Sequence, residues 1–376
     1  MTKQENRNGA LSDYRALDLT DDKGMLCSSL LADMGAEVIR IEKPGISAVN
    51  SFRWENLGKR SVNLNIEDKR GQEMFKRLAE TADVMVESYQ PGYLEGQGLG
   101  YSELSRLNPR LVMASITNFG QSGPYRDYKS CDIVASAMGG QMYVCGEPEK
   151  PPLKPFGNQT YYTASIFAAI GIMLALWNRH TTEKGQHIDI SIQECTAAAL
   201  DHVLVRYFYE GVIAERQGSL YWNNAFRLFP CKDGYILLTL LQQWETMAEW
   251  LDAEGMAEDL TDKKWLDSEY RLRHIDHVIE VLERWTRSHT AAELLEKGQL
   301  MRFPWAKVTS IPELIDSPQL REQDFWAEVE HPETGRKYNF PGAPCKLSRS
   351  PWQVGSQVPS HGQDNKEIYE GELGLS

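Results

Sequence analysis

The first third of the chain alternates short apolar runs with amphipathic stretches, and that alternation restricts the fold more than any other feature. YRALDL (14–19), AEVIRIE (36–42), SVNLN (61–65), DVMVES (83–88) and RLVMASIT (110–117) read as strands. Their near-continuous apolar character suits strands covered on both faces, as in a parallel sheet. Between them, DKGMLCSSLLADMG (22–35) reads as a helix that stops at Gly35, a favoured position for glycine. IEDKRGQEMFKRLAETA (66–82) places Met74, Leu78 and Ala82 on one helical face. Strands separated by helices of this length predict a doubly wound α/β sheet.

The pattern continues and then changes character. After Gly139-Gly140 and the turn-rich CGEPEKPPLKPFG, a helix near 161–179 leads to the strand HIDISI (187–192) and a helix over QECTAAALDHVLVRYFYEG. Beyond about 220, FRLFPCKDGYILLTLL pairs strand signals around a Lys-Asp-Gly turn, and amphipathic helices rich in Trp and Glu follow at 243–254 and 275–300. The expected organisation is a flexible tail (1–13), a large domain (14–220) and a smaller α+β domain (225–320). A segment with β and turn character (321–376) then returns to the large domain. A chain of 376 residues has ample length for two cores.

Bulk properties remove several function classes. With 41% hydrophobic and 25% charged residues the composition is that of a globular protein. A net charge of −13 argues against a nucleic-acid footprint, while leaving room for a local basic pocket. The opening MTKQENRNGALS lacks a signal-peptide core, and the longest apolar run, Ile166 to Trp177, is short for a bilayer span of about 20 residues. A cytoplasmic protein without a membrane partner is expected. The six cysteines contain no CxxC, which argues against zinc or a disulfide framework and predicts buried thiols. No HExxH or HxH spacing occurs among the eight histidines, so no metal site is expected. GQGLG (96–100) lacks dinucleotide-loop spacing and reads as a turn; neither a GxSxG elbow nor a Walker sequence is present.

The ordered set of segments is more informative than any one motif. LDLTDDKG, LLADMGAEVIRIEKPG, GKRSVNLN, DVMVESYQPG, LGYSEL, NPRLVMASITNFGQSGPY, CDIVASAMGG, KGQHIDISIQE and FPCKDGY follow one another at characteristic spacing. Together they resemble the class III CoA-transferases, the group of formyl-CoA:oxalate and carnitine CoA-transferases and 2-methylacyl-CoA racemases. MYVCGEPEKPP is similar to members acting on benzylsuccinate-type aromatic acids. The resemblance implies a Rossmann-like large domain, a small domain, and two subunits interlocked like chain links. It implies no permanently bound cofactor, with an acyl-CoA thioester and a carboxylic acid as substrates. In the family an aspartate attacks the thioester to form a mixed anhydride, and the released thiolate then converts this to an aspartyl-CoA thioester. The acceptor acid takes over the CoA, so the route requires a carboxylate.

That aspartate lies ten residues before the glycine of the family's xAAIGxxxAL stretch. Here the glycine is Gly171, and the position is Tyr161, with Asn158 and Gln159 as neighbours. No Asp or Glu occurs between Glu149 and Glu183. A tyrosine, with an ordinary pKa near 10, is read as lining or packing rather than as a nucleophile. The racemase histidine is missing too, since Cys131 precedes Asp132; Asp132 is read as a structural hydrogen-bonding carboxylate.

The CoA side is partly retained. The resemblance assigns Lys43 to the nucleotide end, Leu64, Ser88 and Tyr89 to the adenine and ribose pocket, and Asp22 and Lys23 to the entrance of the first helix. The family carries arginine where Gln90 and Gly96 stand, so two charge-assisted phosphate contacts are absent and weak CoA affinity is expected. In YWNNAFRLF, Trp222 and Phe226 are candidates to flank an acyl group and Arg227 to meet a second carboxylate.

Three readings differ in class. The first is an active homodimeric CoA-transferase with a displaced nucleophile. The second is a non-catalytic subunit paired with a catalytic paralogue in a heterodimer or heterotetramer. The third is an acyl-CoA lyase, hydratase or isomerase using the same cleft. Joint loss of the nucleophile and the two arginines favours the second.

Overall fold

Six strands form one parallel sheet: β1 (Arg15–Leu19), β2 (Glu37–Glu42), β3 (Arg60–Asn63), β4 (Val84–Glu87), β5 (Val112–Thr117) and β6 (His187–Ser191). Their order is β3-β2-β1-β4-β5-β6, the doubly wound arrangement of dinucleotide-binding folds. The chain is therefore α/β, as its alternating pattern predicts. This computed structural model describes residues 9–45, 53–221, 226–240, 243–330 and 334–375.

Alternate residues of each strand feed two cores, because successive side chains leave a strand on opposite faces. Ala16, Val38, Val84, Val112 and Ala114 join one core, and Leu17, Ile39, Val62, Met85 and Met113 the other. The first core is closed by α1 (Met25–Asp33) and the second by α2 (Lys69–Glu80). Gly35 just after α1 has φ of +102°, and a Cβ there would lie 2.7 Å from Gly9 Cα, so the turn requires glycine. Asp68 caps α2 by accepting the Gly71 N–H at 2.8 Å.

Short helices α3 (Tyr93–Gly96) and α4 (Tyr101–Leu107) connect β4 to β5, with GQGLG forming the turn between them. After β5 come α5 (Asp132–Met138) and α6 (Gln159–Thr182). At 24 residues, α6 extends well past the apolar run Ile166–Trp177. Among the described residues it is the one helix long and apolar enough, by length and composition, to cross a membrane. Ala164, Ala168, Ile172 and Ala175 bury its inner face in the first core, as in a core helix of a globular protein. Its other face leaves Ile166, Ile170, Leu174 and Trp177 exposed.

The single helix expected over 193–211 is instead two, α7 (Ile192–Ala198) and α8 (Val203–Glu210). Asp201 between them has φ of +49°, a left-handed conformation that a continuing helix does not accommodate. The cysteines also differ from expectation. Cys27 and Cys195 are buried, but Cys131 and Cys345 are exposed and Cys145 and Cys231 half-buried.

The second sheet contains β7 (Leu220–Tyr221), β8 (Phe226–Pro230), β9 (Tyr235–Thr239) and β10 (Ala306–Lys307), all antiparallel. It packs with α9 (Trp244–Ala253), α10 (Ser268–Arg273), α11 (Ile275–Thr286) and α12 (Ala291–Leu300). A capping box at Thr290 and Glu293 starts α12 and divides the helical stretch 275–300 in two. Trp250, Trp285 and Trp305 fill this core, and the Trp250 and Trp305 rings stack at 5.7 Å.

Two compact units result. One comprises residues up to Tyr143, Lys154–Ala214 and the chain from Pro318 onward; the other comprises Val144–Leu153 and Glu215–Ser317. In the first unit the C-terminal segment carries the hairpin β11 (Trp326–Glu330) and β12 (Lys337–Pro341). It then covers the edge of β3, where Asp364 and Asn365 side chains accept the Ser61 and Asn63 N–H groups, each at 2.7 Å. The edge is thereby closed to further strands.

Candidate functional site

A cavity of about 400 Å³ opens at the C-terminal ends of β1, β2, β3 and β4. The strand order reverses between β1 and β4, and such switch points are where open α/β sheets bind ligands. Its walls come from the residues that follow each strand: Thr20 and Asp21 after β1, Lys43 after β2, Leu64 to Glu67 after β3, and Ser88 and Tyr89 after β4. Of the residues that resemblance assigns to CoA, Lys43, Leu64, Ser88 and Tyr89 line this cavity.

Asp22, Lys23 and Gln90 are not among the lining residues; Asp21 is. Backbone direction in the β1–α1 loop decides which of these adjacent side chains faces the cavity, and composition carries no signal for that. Ser88 fixes the loop, donating its hydroxyl to Asp21 Oδ1 and accepting the Asp21 N–H, both at 2.8 Å. Asp22 pairs with Arg53 at 2.6 Å, and Lys23 pairs with Asp21. The Tyr89 ring stacks on Tyr93 at 4.6 Å. Burial, with Tyr93 and Glu87 nearby, pushes the Tyr89 phenol up to about 12.

A buried ionic network supports the floor. The Asp18 carboxylate accepts from Lys59 Nζ at 2.8 Å, Arg40 Nη1 at 3.2 Å, Ser28 Oγ at 2.8 Å and both the N–H and hydroxyl of Thr20. Burial pushes its pKa upward, but Lys59 and Arg40 overcome this and hold it far below the usual carboxylate range. Burial wins in the opposite sense at Lys59, whose pKa is lowered despite Asp18. Arg40 lines the cavity and is pinned from behind. At the end of β4, Glu87 is only 4% exposed, and burial raises its carboxyl to about 7 against hydrogen bonds from Ser115 and the Tyr89 N–H. The sequence marks Asp18 and Glu87 only as acids inside apolar strands, a signal that sequence reasoning passed over.

Tyr161 lies in the first turn of α6, in the same unit, and is 8% exposed. Burial raises its phenol to about 12, and Asp21, Cys131, Asp132 and Asp22 push in the same direction. It therefore stays protonated at neutral pH and is a poor nucleophile. Asn158 is the N-cap residue of α6 but makes no side-chain cap, and Gln159 donates to the Phe156 carbonyl at 3.1 Å. The cap comes from Asp132, which accepts from Thr160 N at 3.1 Å and Thr160 Oγ1 at 2.7 Å and pairs with Lys154 at 2.6 Å. Lys154 sits in a proline-rich stretch whose sequence reads only as a turn. Phe226 and Arg227 lie on β8 in the second unit, with Arg227 6.0 Å from the Phe229 ring centroid. Trp222 lies outside the described residues.

Comparison with known proteins identifies the family. A family model described as CoA-transferase family III matches residues 11–365. The succinyl-CoA:(R)-benzylsuccinate CoA-transferase subunit BbsE of Thauera aromatica is 34% identical, covering 95% of this chain and 93% of its own. The succinyl-CoA–L-malate CoA-transferase beta subunit of Chloroflexus aurantiacus is 32% identical, covering 93% and 90%. A solved CAIB/BAIF family protein from Brucella suis superposes with a TM-score of 0.86 at 25% identity, covering 97% of this chain and 100% of its own. The chain belongs to the class III CoA-transferase family.

Proposed function

We propose that this protein is the non-catalytic subunit of a heteromeric CoA-transferase that moves CoA between an acyl-CoA thioester and a carboxylic acid. The observation that carries the reading is Tyr161: a buried, protonated phenol where the family's aspartate is expected, in a segment without any acid from 150 to 182. The carboxylates around it do not replace it, since Asp21 is engaged by Lys23 and Ser88, Asp22 by Arg53, and Asp132 by Thr160 and Lys154. Two of the similar proteins carry the word subunit in their names, which supports the same reading. The exposed apolar side of α6 and the exposed Phe208 and Tyr209 of α8 favour a chain that is covered by a partner.

In this reading the catalytic paralogue supplies the aspartate and carries the acyl and CoA intermediates. The present chain contributes fold, interface and a nucleotide pocket in which Lys43, Leu64, Ser88 and Tyr89 contact CoA, and Trp222, Phe226 and Arg227 take part in covering substrate. The complex works in the cytoplasm, and CoA enters and leaves as substrate. The test is reconstitution. The chain, a paralogue bearing the aspartate, and the mixture are each given succinyl-CoA and candidate acids. CoA exchange that needs both chains, or that rises severalfold when this chain is added, supports the subunit role. Exchange by this chain alone contradicts it, and acyl-CoA turnover without an acceptor acid would instead favour a lyase or isomerase.

A further inference from the structure

Each lysine and arginine on the cavity wall among the described residues is already held by a carboxylate, and His361 lies 4.0 Å from Glu42. Arg40 faces Asp18 at 3.2 Å and Glu42 at 3.4 Å, Lys43 faces Glu67 at 2.7 Å, and Arg53 faces Asp22 at 2.6 Å. Asp21, Glu42 and Glu67 on the wall balance Arg40, Lys43 and Arg53. The wall therefore offers no surplus of positive charge, although its expected ligand is rich in phosphate.

The Lys43–Glu67 pair differs from the Arg40 network. Arg40 is tied into the buried floor, whereas the Lys43 and Glu67 side chains are 50% and 47% exposed. Glu67 is held from a second side by the Tyr93 hydroxyl at 3.1 Å, and the Tyr93 ring is itself stacked on Tyr89. Lys43 directly follows β2, and in doubly wound folds the end of the second strand is where the ribose of a bound nucleotide is read. There an acidic side chain suits a ribose hydroxyl and a basic one suits a ribose phosphate.

We propose that Glu67 is a specificity-determining residue that suppresses the pocket's preference for the 3′-phosphate of CoA over the free ribose hydroxyl. This rests on the reading of the cavity as the CoA site. A ribose phosphate brought to Lys43 meets the Glu67 carboxylate, and like charges at this range oppose binding. Moving Glu67 aside breaks its bond to Tyr93 and leaves that hydroxyl without its acceptor. A ribose hydroxyl, by contrast, can donate to Glu67 without disturbing the pair.

Titration calorimetry on the full chain with CoA and with 3′-dephospho-CoA tests this, using wild type, Glu67→Gln and the double variant Glu67→Gln/Lys43→Gln. The wild type is expected to bind the two ligands within about threefold, as befits a half-exposed pair. Glu67→Gln should raise the preference for CoA about tenfold, equivalent to ~1.4 kcal/mol. Dephospho-CoA affinity should stay within about twofold, and the gain should vanish in the double variant, where the cation is gone. Unchanged thermal melting of Glu67→Gln serves as the folding control. A wild type that already prefers CoA by more than about 30-fold, the scale of a full charge-assisted contact, overturns the proposal. So does an unchanged ligand ratio in Glu67→Gln. Binding of neither ligand at millimolar concentration instead removes the CoA reading of the cavity, and this proposal with it.

Discussion

Asp132 and Thr160 make a two-point contact, in which one carboxylate oxygen accepts both the N–H and the hydroxyl of Thr160 at 3.1 and 2.7 Å. The contact caps α6 from a neighbouring helix and occupies one of the carboxylates around Tyr161. Asp132→Ala should therefore destabilise the protein by ~1–3 kcal/mol, the cost of a lost cap plus a buried hydroxyl left unpaired. Asp132→Asn, which keeps an acceptor, should recover much of that loss. Urea unfolding of the two variants reads the difference, and equal stability of Ala and wild type would deny the cap.

The buried Asp18–Lys59 pair gives a second prediction. Removing the cation with Lys59→Met leaves Asp18 charged at 0% exposure with Arg40 as the one cation paired to it among the described residues. The expected loss is ~3 kcal/mol, as for a broken buried pair. Denaturant midpoints for the variant and wild type check it, and a loss below ~1 kcal/mol contradicts the assigned network.

Glu87 makes stability depend on pH. Its carboxyl is raised from 4.5 to about 7 by burial, so between these values the folded state holds a proton that the unfolded state releases. Its contribution is full at low pH, declines as pH rises through about 4.5 to 7, and is flat above that. Glu87→Gln keeps the acceptor for the Tyr89 N–H and removes the titration. The variant's stability relative to wild type should grow by on the order of 2–3 kcal/mol from pH 4.5 to pH 8. Asp33, also raised to about 7 by burial, contributes its own slope to both proteins and cancels in the comparison. Chemical denaturation at several pH values provides the readout; parallel curves would refute the role assigned to Glu87.

Gly96 tests the expectation that arginine here and at position 90 would hold phosphate. A Cβ built there meets nothing within 4 Å, so a side chain can leave the backbone without a clash. Gly96→Arg, alone or with Gln90→Arg, should tighten CoA binding about five- to tenfold per residue, in the range of a partly exposed charge-assisted contact. Calorimetry at two salt concentrations should show the gain shrinking with salt. An unchanged affinity would separate these positions from the phosphates.

The six parallel strands are legible in the sequence because burial on both faces demands apolar runs, and the Lys-Asp-Gly hairpin because a tight turn demands those residues. Charge pairing left no comparable trace. Asp18 is 22 positions from Arg40 and 41 from Lys59, and only sheet order places β1 beside β2 and near the start of β3. That Asp21 rather than Asp22 or Lys23 lines the cavity is equally hidden, since adjacent loop residues point according to backbone geometry rather than type. Tyr161 could be located by counting from Gly171, but its burial and its acidic neighbours are tertiary facts.

The central claim is that this chain holds no competent nucleophile. Intact-mass spectrometry of the purified chain after incubation with succinyl-CoA measures this most directly, with Tyr161→Phe alongside. No succinyl or CoA adduct and no hydroxylamine-sensitive species should form on either protein, because a phenol raised to about 12 stays protonated at neutral pH. A covalent adduct on any residue of the wild-type chain would contradict the account.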